Sequence, residues 1–290
     1  MHRFMFRIPL LVAAVALGLA ACVPATESPA ATQVPTQAPK DAPTATEISQ
    51  MVIGSFEVSD GRSLHVMCQG EGSPTVIFEA GDDAGKEQWS TVQSGISTLT
   101  RTCAYDRGGI GQSDLVSGCR QLPDLVNDLA RLLESAQVPG PYVLVSTSGG
   151  GYIAAGFAAT HRDEIAGMVL IDTMRAFLSA PSGVPVDVVE GTACNNPNNR
   201  ERRDYLQVEA DAWNNRAEIG DIPVTIITVK YGVDAEPEEL INVESQQGWL
   251  ILSPRATQVV VETGHNVVRE DPALVIEEIT KVVEAARSNP

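Results

Sequence analysis

Basic residues are scarce in this chain. It has 20 Lys and Arg against 37 Asp and Glu, a formal net charge of −17. Gripping phosphates requires clustered positive charge, so nucleic acid is excluded as a partner. Phosphate-binding glycine loops are also missing. No G-x-G-x-x-G stands early in the chain, and no Lys follows a glycine cluster. A nucleotide site is therefore not expected. Metal-ligand motifs are absent too, so no cofactor and no metal are anticipated. Histidine is rare, and beyond His2 the candidates for imidazole chemistry are His65, His161 and His265. No internal repeat is apparent.

The first residues read as an address rather than as part of a fold. His2, Arg3 and Arg7 form a basic head, and residues 8–19 are an apolar run. That run is too short for an ordinary membrane-spanning helix but suits a signal peptide spanning residues 1–21. It ends in Leu19-Ala20-Ala21-Cys22, which resembles a bacterial lipobox. The resemblance implies lipidation of Cys22 and anchoring by acyl chains without a spanning helix. Residues 22–50 are rich in Pro, Ala and Thr and poor in large apolar residues. They cannot bury enough surface to offset their ordering entropy, so a disordered tether is expected. An exported, lipid-anchored protein of the bacterial cell envelope follows. Without Cys22, four cysteines remain: Cys68, Cys103, Cys119 and Cys194. An even number in an exported chain predicts two disulfides.

From residue 51 onward, apolar strand-like runs alternate with amphipathic helices. Strands are expected at 55–58 and 63–68 around the turn signal Asp60-Gly61. Further strands fall at 75–79 (TVIFE), 102–105 (TCAY), 142–145, 167–171 (GMVLI), 222–228 and 256–261. Leu122, Leu125, Val126, Leu129, Leu132 and Leu133 share one face at helical spacing. A last amphipathic helix starts at Pro272. Strands separated by helices predict a mostly parallel sheet covered on both faces. Residues 173–220 break the rhythm and are expected to form a short cap over the strand ends.

At Ser146-Thr147-Ser148-Gly149-Gly150 a strand runs directly into a helix, with a Ser at the bend. Small residues stand two before and two after Ser148. Ser146 fails the same test, because Leu144 lies two before it. A bland alternative is a Ser/Gly turn that only packs helix on strand. The pattern resembles the nucleophile elbow of the α/β-hydrolases, with Ser146 where Gly is usual.

Other landmarks carry the same resemblance from about residue 55 to 287. Residues 106–113 (DRGGIGQS) look like the family's loop after the fourth strand, and Gly264-His265 follows the last strand. The resemblance implies an α/β-hydrolase fold over 51–290. It makes Ser148 the nucleophile and His265 the general base. It leaves two candidates for the acid: Asp172 at the end of GMVLI, which is favoured, and Asp234 in the next loop. The oxyanion hole would use the backbone N–H groups of Gly149 and Asp82, and the Asp82 carboxylate is expected to point away. The family places the second strand antiparallel beside the fourth. Cys68 and Cys103 then become neighbours, and Cys119–Cys194 is the remaining pair.

The function this implies is serine hydrolysis of a carboxylic ester or related acyl bond through an acyl-enzyme. A cofactor-free haloperoxidase or perhydrolase would use the same residues, and a non-catalytic binding lipoprotein is the non-enzyme reading. The cap is short and polar, which favours small, soluble ester-like molecules as substrates.

Overall fold

The computed structural model describes residues 51–173, 193–230 and 243–288. The expected signal peptide, Cys22, the tether and Asp234 lie outside those residues, as does part of the expected cap.

The strands are β1 (Ile53–Ser59), β2 (Arg62–Gln69), β3 (Thr75–Glu79), β4 (Thr102–Tyr105), β5 (Tyr142–Thr147), β6 (Ile165–Ile171), β7 (Val224–Val229) and β8 (Ala256–Val261). They form one eight-stranded sheet in the order β1-β2-β4-β3-β5-β6-β7-β8. β2 pairs antiparallel with both neighbours, and all pairs from β4 across to β8 are parallel. This is the edge arrangement that the resemblance implies. Cys68 and Cys103 face each other in the β2–β4 register and are joined by a disulfide. A second disulfide joins Cys119 to Cys194.

The helices are α1 (Ser90–Ile96), α2 (Leu122–Ser135), α3 (Gly150–Thr160), α4 (Tyr205–Asn214), α5 (Val267–Glu270) and α6 (Pro272–Ser288). α2 begins with Pro123 in its first turn, where a missing N–H costs nothing. Asp124 accepts from the Gln121 N–H at 2.8 Å and closes that end.

Side chains alternate across the sheet and feed two cores. On one face Leu144, Met168, Leu170 and Ile226 pack with Leu129, Leu132, Ile153 and Phe157 from α2 and α3. On the other, Val143, Val145, Val169, Ile171 and Ile227 pack with Trp89, Val92, Val275, Ile279 and Val283. β5 and β7 are therefore buried at every position, which explains their apolar character. This packing holds the carboxyl ends of β3, β5 and β6 rigid, and the candidate site is built there.

The expected boundaries shift at several ends. Between β3 and β4 the chain forms a short 3₁₀ turn (Lys86–Trp89) followed by α1. β7 starts later than expected, at Val224. Pro223 has no N–H for the ladder, and its carbonyl instead accepts from Met168 at 3.0 Å. A 3₁₀ stretch at Gln247–Leu252 has no counterpart in the sequence reading. It buries Trp249 against Trp213 in an edge-to-face contact at 5.1 Å.

Candidate active site

The turn from β5 into α3 is tight. Ser148 sits at φ 51°, in the left-handed region that costs a non-glycine residue free energy. Its N–H donates to the Ile171 carbonyl at 2.8 Å, which ties the turn to the end of β6. A Cβ on Gly150 would collide with the backbone carbonyl of Ala80. The small residue two past Ser148 is thus a packing requirement, as the motif implied. Ser146, at the position two before, is fully buried.

His265 lies in the loop between β8 and α5. Its Nε2 is 3.1 Å from the Ser148 Oγ, and its Nδ1 is 2.6 Å from the Asp172 Oδ2. Asp172 directly follows β6, is fully buried and also has a positive φ, 46°. Its backbone N–H donates to the Ile227 carbonyl at 2.7 Å. The hydrogen bond that Asp172 accepts, reinforced by its charge, raises the His265 pKa above its ordinary value. The structure thus brings Ser148, His265 and Asp172 into one hydrogen-bonded line. His65 and His161 are elsewhere. His161 stacks on Phe157 at the end of α3.

Gly81 packs near Ser148: a Cβ there would come 3.5 Å from the Ser148 Cβ. Arg107, in the loop after β4, orients this region. Its guanidinium donates to the carbonyls of Ala80 and Gly81, each at 2.6 Å. With the Gly81 carbonyl held by Arg107, the N–H of the same trans peptide, that of Asp82, points the opposite way. Arg107 is buried and faces two carboxylates, Glu79 at 2.6 Å and Glu201 at 2.7 Å. Burial pushes Glu201 up, but Arg107 and Arg203 outweigh it and hold its carboxyl at about 2. At Glu79 burial wins over Arg107, and the carboxyl is raised.

One expectation is corrected. The Asp82 carboxylate does not point away. It occupies the space that a Cβ on Gly149 would need, and the buried Arg203 donates to it. Gly149 leaves that space open because it has no side chain, and Arg203 supplies the opposing charge. Arg203 and Glu201 belong to the segment that Cys194 ties to Cys119. Nothing in the sequence pattern marked this segment as supplying charge to the site. The role of Arg107 was more accessible, since it lies in the DRGGIGQS loop.

Comparison with known proteins places the fold. The Hydrolase_4 family, described as serine aminopeptidase, S33, matches residues 98–183. An esterase from Thermogutta terrifontis superposes with a TM-score of 0.60 at 21% identity, covering 82% of this chain and 99% of that one. The chain has the α/β-hydrolase fold. An enol-lactonase from Burkholderia xenovorans LB400 superposes on this chain with a TM-score of 0.60 at 16% identity, over 79% of this chain and 99% of that one. The uncharacterized protein YqjL of Bacillus subtilis is 24% identical over 226 residues, 74% of this chain and 86% of its own length.

Proposed function

We propose that this α/β-hydrolase is a serine hydrolase that cleaves a carboxylic ester, or a related acyl bond, of a small molecule. The observation that carries the reading is the line Ser148 Oγ–His265 Nε2, 3.1 Å, and His265 Nδ1–Asp172 Oδ2, 2.6 Å. In this reading Ser148 attacks the acyl carbonyl while His265 takes its proton at Nε2. Asp172 holds the Nδ1–H tautomer and balances the imidazolium. The N–H groups of Gly149 and Asp82 receive the oxyanion. The tetrahedral intermediate collapses, the alcohol leaves with the proton from His265, and Ser148 keeps the acyl group. Water, activated by the same imidazole, then releases the acid. Asp172 is preferred to Asp234 as the acid because its carboxylate already meets the imidazole.

We further propose that the chain is exported and anchored by lipid on Cys22. The basic head, apolar run and Leu19-Ala20-Ala21-Cys22 support this. In a bacterial host, Cys22→Ser is expected to move the protein from the membrane fraction to the soluble one. Retention in the membrane would overturn the anchor.

A fluorophosphonate probe tests the enzymatic reading. The folded protein is expected to be labelled at Ser148, and Ser148→Ala to lose both label and hydrolysis of a p-nitrophenyl ester. Folded protein that neither labels nor hydrolyses the ester would instead be a binding module on this fold. Turnover of peroxide with a carboxylic acid in place of ester hydrolysis would redirect the reading to a perhydrolase.

A further inference from the structure

Asp172 has two carboxylate oxygens, and only one faces His265. The other, Oδ1, accepts from the Nε2 of Gln246 at 2.7 Å. Gln246 is fully buried and immediately precedes the 3₁₀ stretch Gln247–Leu252. Its Oε1 lies 3.0 Å from the Oγ1 of Thr228 on β7, also fully buried. The Nε2 of Gln258 on β8 in turn donates to that Oγ1 at 2.9 Å and to the Val243 carbonyl at 3.0 Å.

The chemistry of these groups sets the direction of the chain. The Gln258 amide nitrogen has only protons to give, so Thr228 Oγ1 accepts there. The single hydroxyl proton of Thr228 then goes to the Gln246 Oε1. An amide oriented this way must present its NH₂ to Asp172. The flipped amide would set oxygen against a buried carboxylate and nitrogen against the Thr228 proton, losing both bonds.

We infer that Gln246 is a positioning residue for the acid of the proposed Ser148–His265–Asp172 line, with its amide orientation set by Thr228 and Gln258. The inference rests on the proposed function. Gln246 acts through Asp172. It stabilises the ionised carboxylate and fixes its rotation, so that Oδ2 stays on the imidazole. The element after β7 thereby enters the site from outside the sheet.

Two variants test this. Gln246→Met removes the donor with little change of volume. Because hydrogen bonds to a charged group are among the stronger ones, kcat on a p-nitrophenyl ester is expected to fall about 10- to 100-fold, with KM changed less than about threefold. Gln246→Glu keeps the shape. While the introduced carboxyl is protonated it still donates to Asp172; once ionised it repels that carboxylate. Among the described residues, charge reaches this line from His265 on Oδ2 and from Asp82 and Glu270 on the imidazole. Activity of Gln246→Glu is therefore expected near the wild-type level on the acid side and lost as pH rises, where the wild type keeps rising or stays level. Its activity on the acid side is also the check that it folds.

A Gln246→Glu variant with the wild-type pH profile, or a folded Gln246→Met variant with wild-type kcat, would overturn the positioning role while leaving the proposed function intact. Failure of the wild type to hydrolyse the ester or to label at Ser148 would instead remove the function, and this role with it.

Discussion

The carboxylate of Asp82 lies against the Cα of Gly149, in the space a Cβ there would fill, and Arg203 donates to it. A negative charge thus sits beside a proposed oxyanion donor and is balanced by one buried guanidinium. The balance is what makes the placement compatible with a developing oxyanion.

Removing Arg203 is therefore expected to cost turnover. Arg203→Met leaves Asp82 unbalanced, and kcat should fall by about tenfold or more. Adding Asp82→Asn to that variant should restore most of the loss, because the uncompensated charge is gone. Steady-state kinetics of the single and double variants check this. A double variant no better than Arg203→Met would mean that the charge balance is not the cause.

The pH profile follows from His265. As the proposed base it must be neutral to accept a proton from Ser148, and its pKa is raised by the Asp172 hydrogen bond and charge. The acid limb of kcat/KM is then expected above the ordinary histidine value of about 6.5. Asp172→Asn should move that limb to lower pH and cut kcat by on the order of 10³- to 10⁴-fold. Rate measurements across about pH 5–9 decide the point.

Glu201 ties stability to acid. Its folded-state pKa is held at about 2, below the usual carboxylate range. A depressed carboxyl stabilises the fold above its unfolded pKa of about 4.3 and loses that contribution as pH falls toward the folded value. Urea unfolding between about pH 5 and pH 2 should show falling stability, with a shallower slope in Glu201→Gln. At neutral pH the variant breaks a buried pair, with an expected loss of about 3–5 kcal/mol.

The Cys119–Cys194 disulfide closes a loop between residues 75 apart in sequence. It restrains the unfolded chain, so the double variant Cys119→Ser/Cys194→Ser should lose about 2–4 kcal/mol and melt at a lower temperature. Because Cys194 leads into the segment bearing Glu201 and Arg203, ester turnover should drop as well. Calorimetry and kinetics on the same sample separate the two effects.

Much of the fold was legible in the sequence because it rests on local and periodic signals. The leucines of α2 share one face, the central strands are continuously apolar, and small residues flank Ser148. Each reflects a constraint acting within a few residues: one face to bury, two faces covered, or a turn with no room for a side chain. Ser148, Asp172 and His265 could be proposed for the site because each follows a strand of the sheet within a few residues. Tertiary structure alone decided which groups share the space around them. Asp82 turns toward Gly149 because Arg203, 121 residues later, balances it. Gln246 reaches Asp172 across 74 residues because Thr228 and Gln258 orient its amide. Long-range pairing of buried polar groups leaves no periodic trace, since any segment that the folded chain brings close can supply the partner.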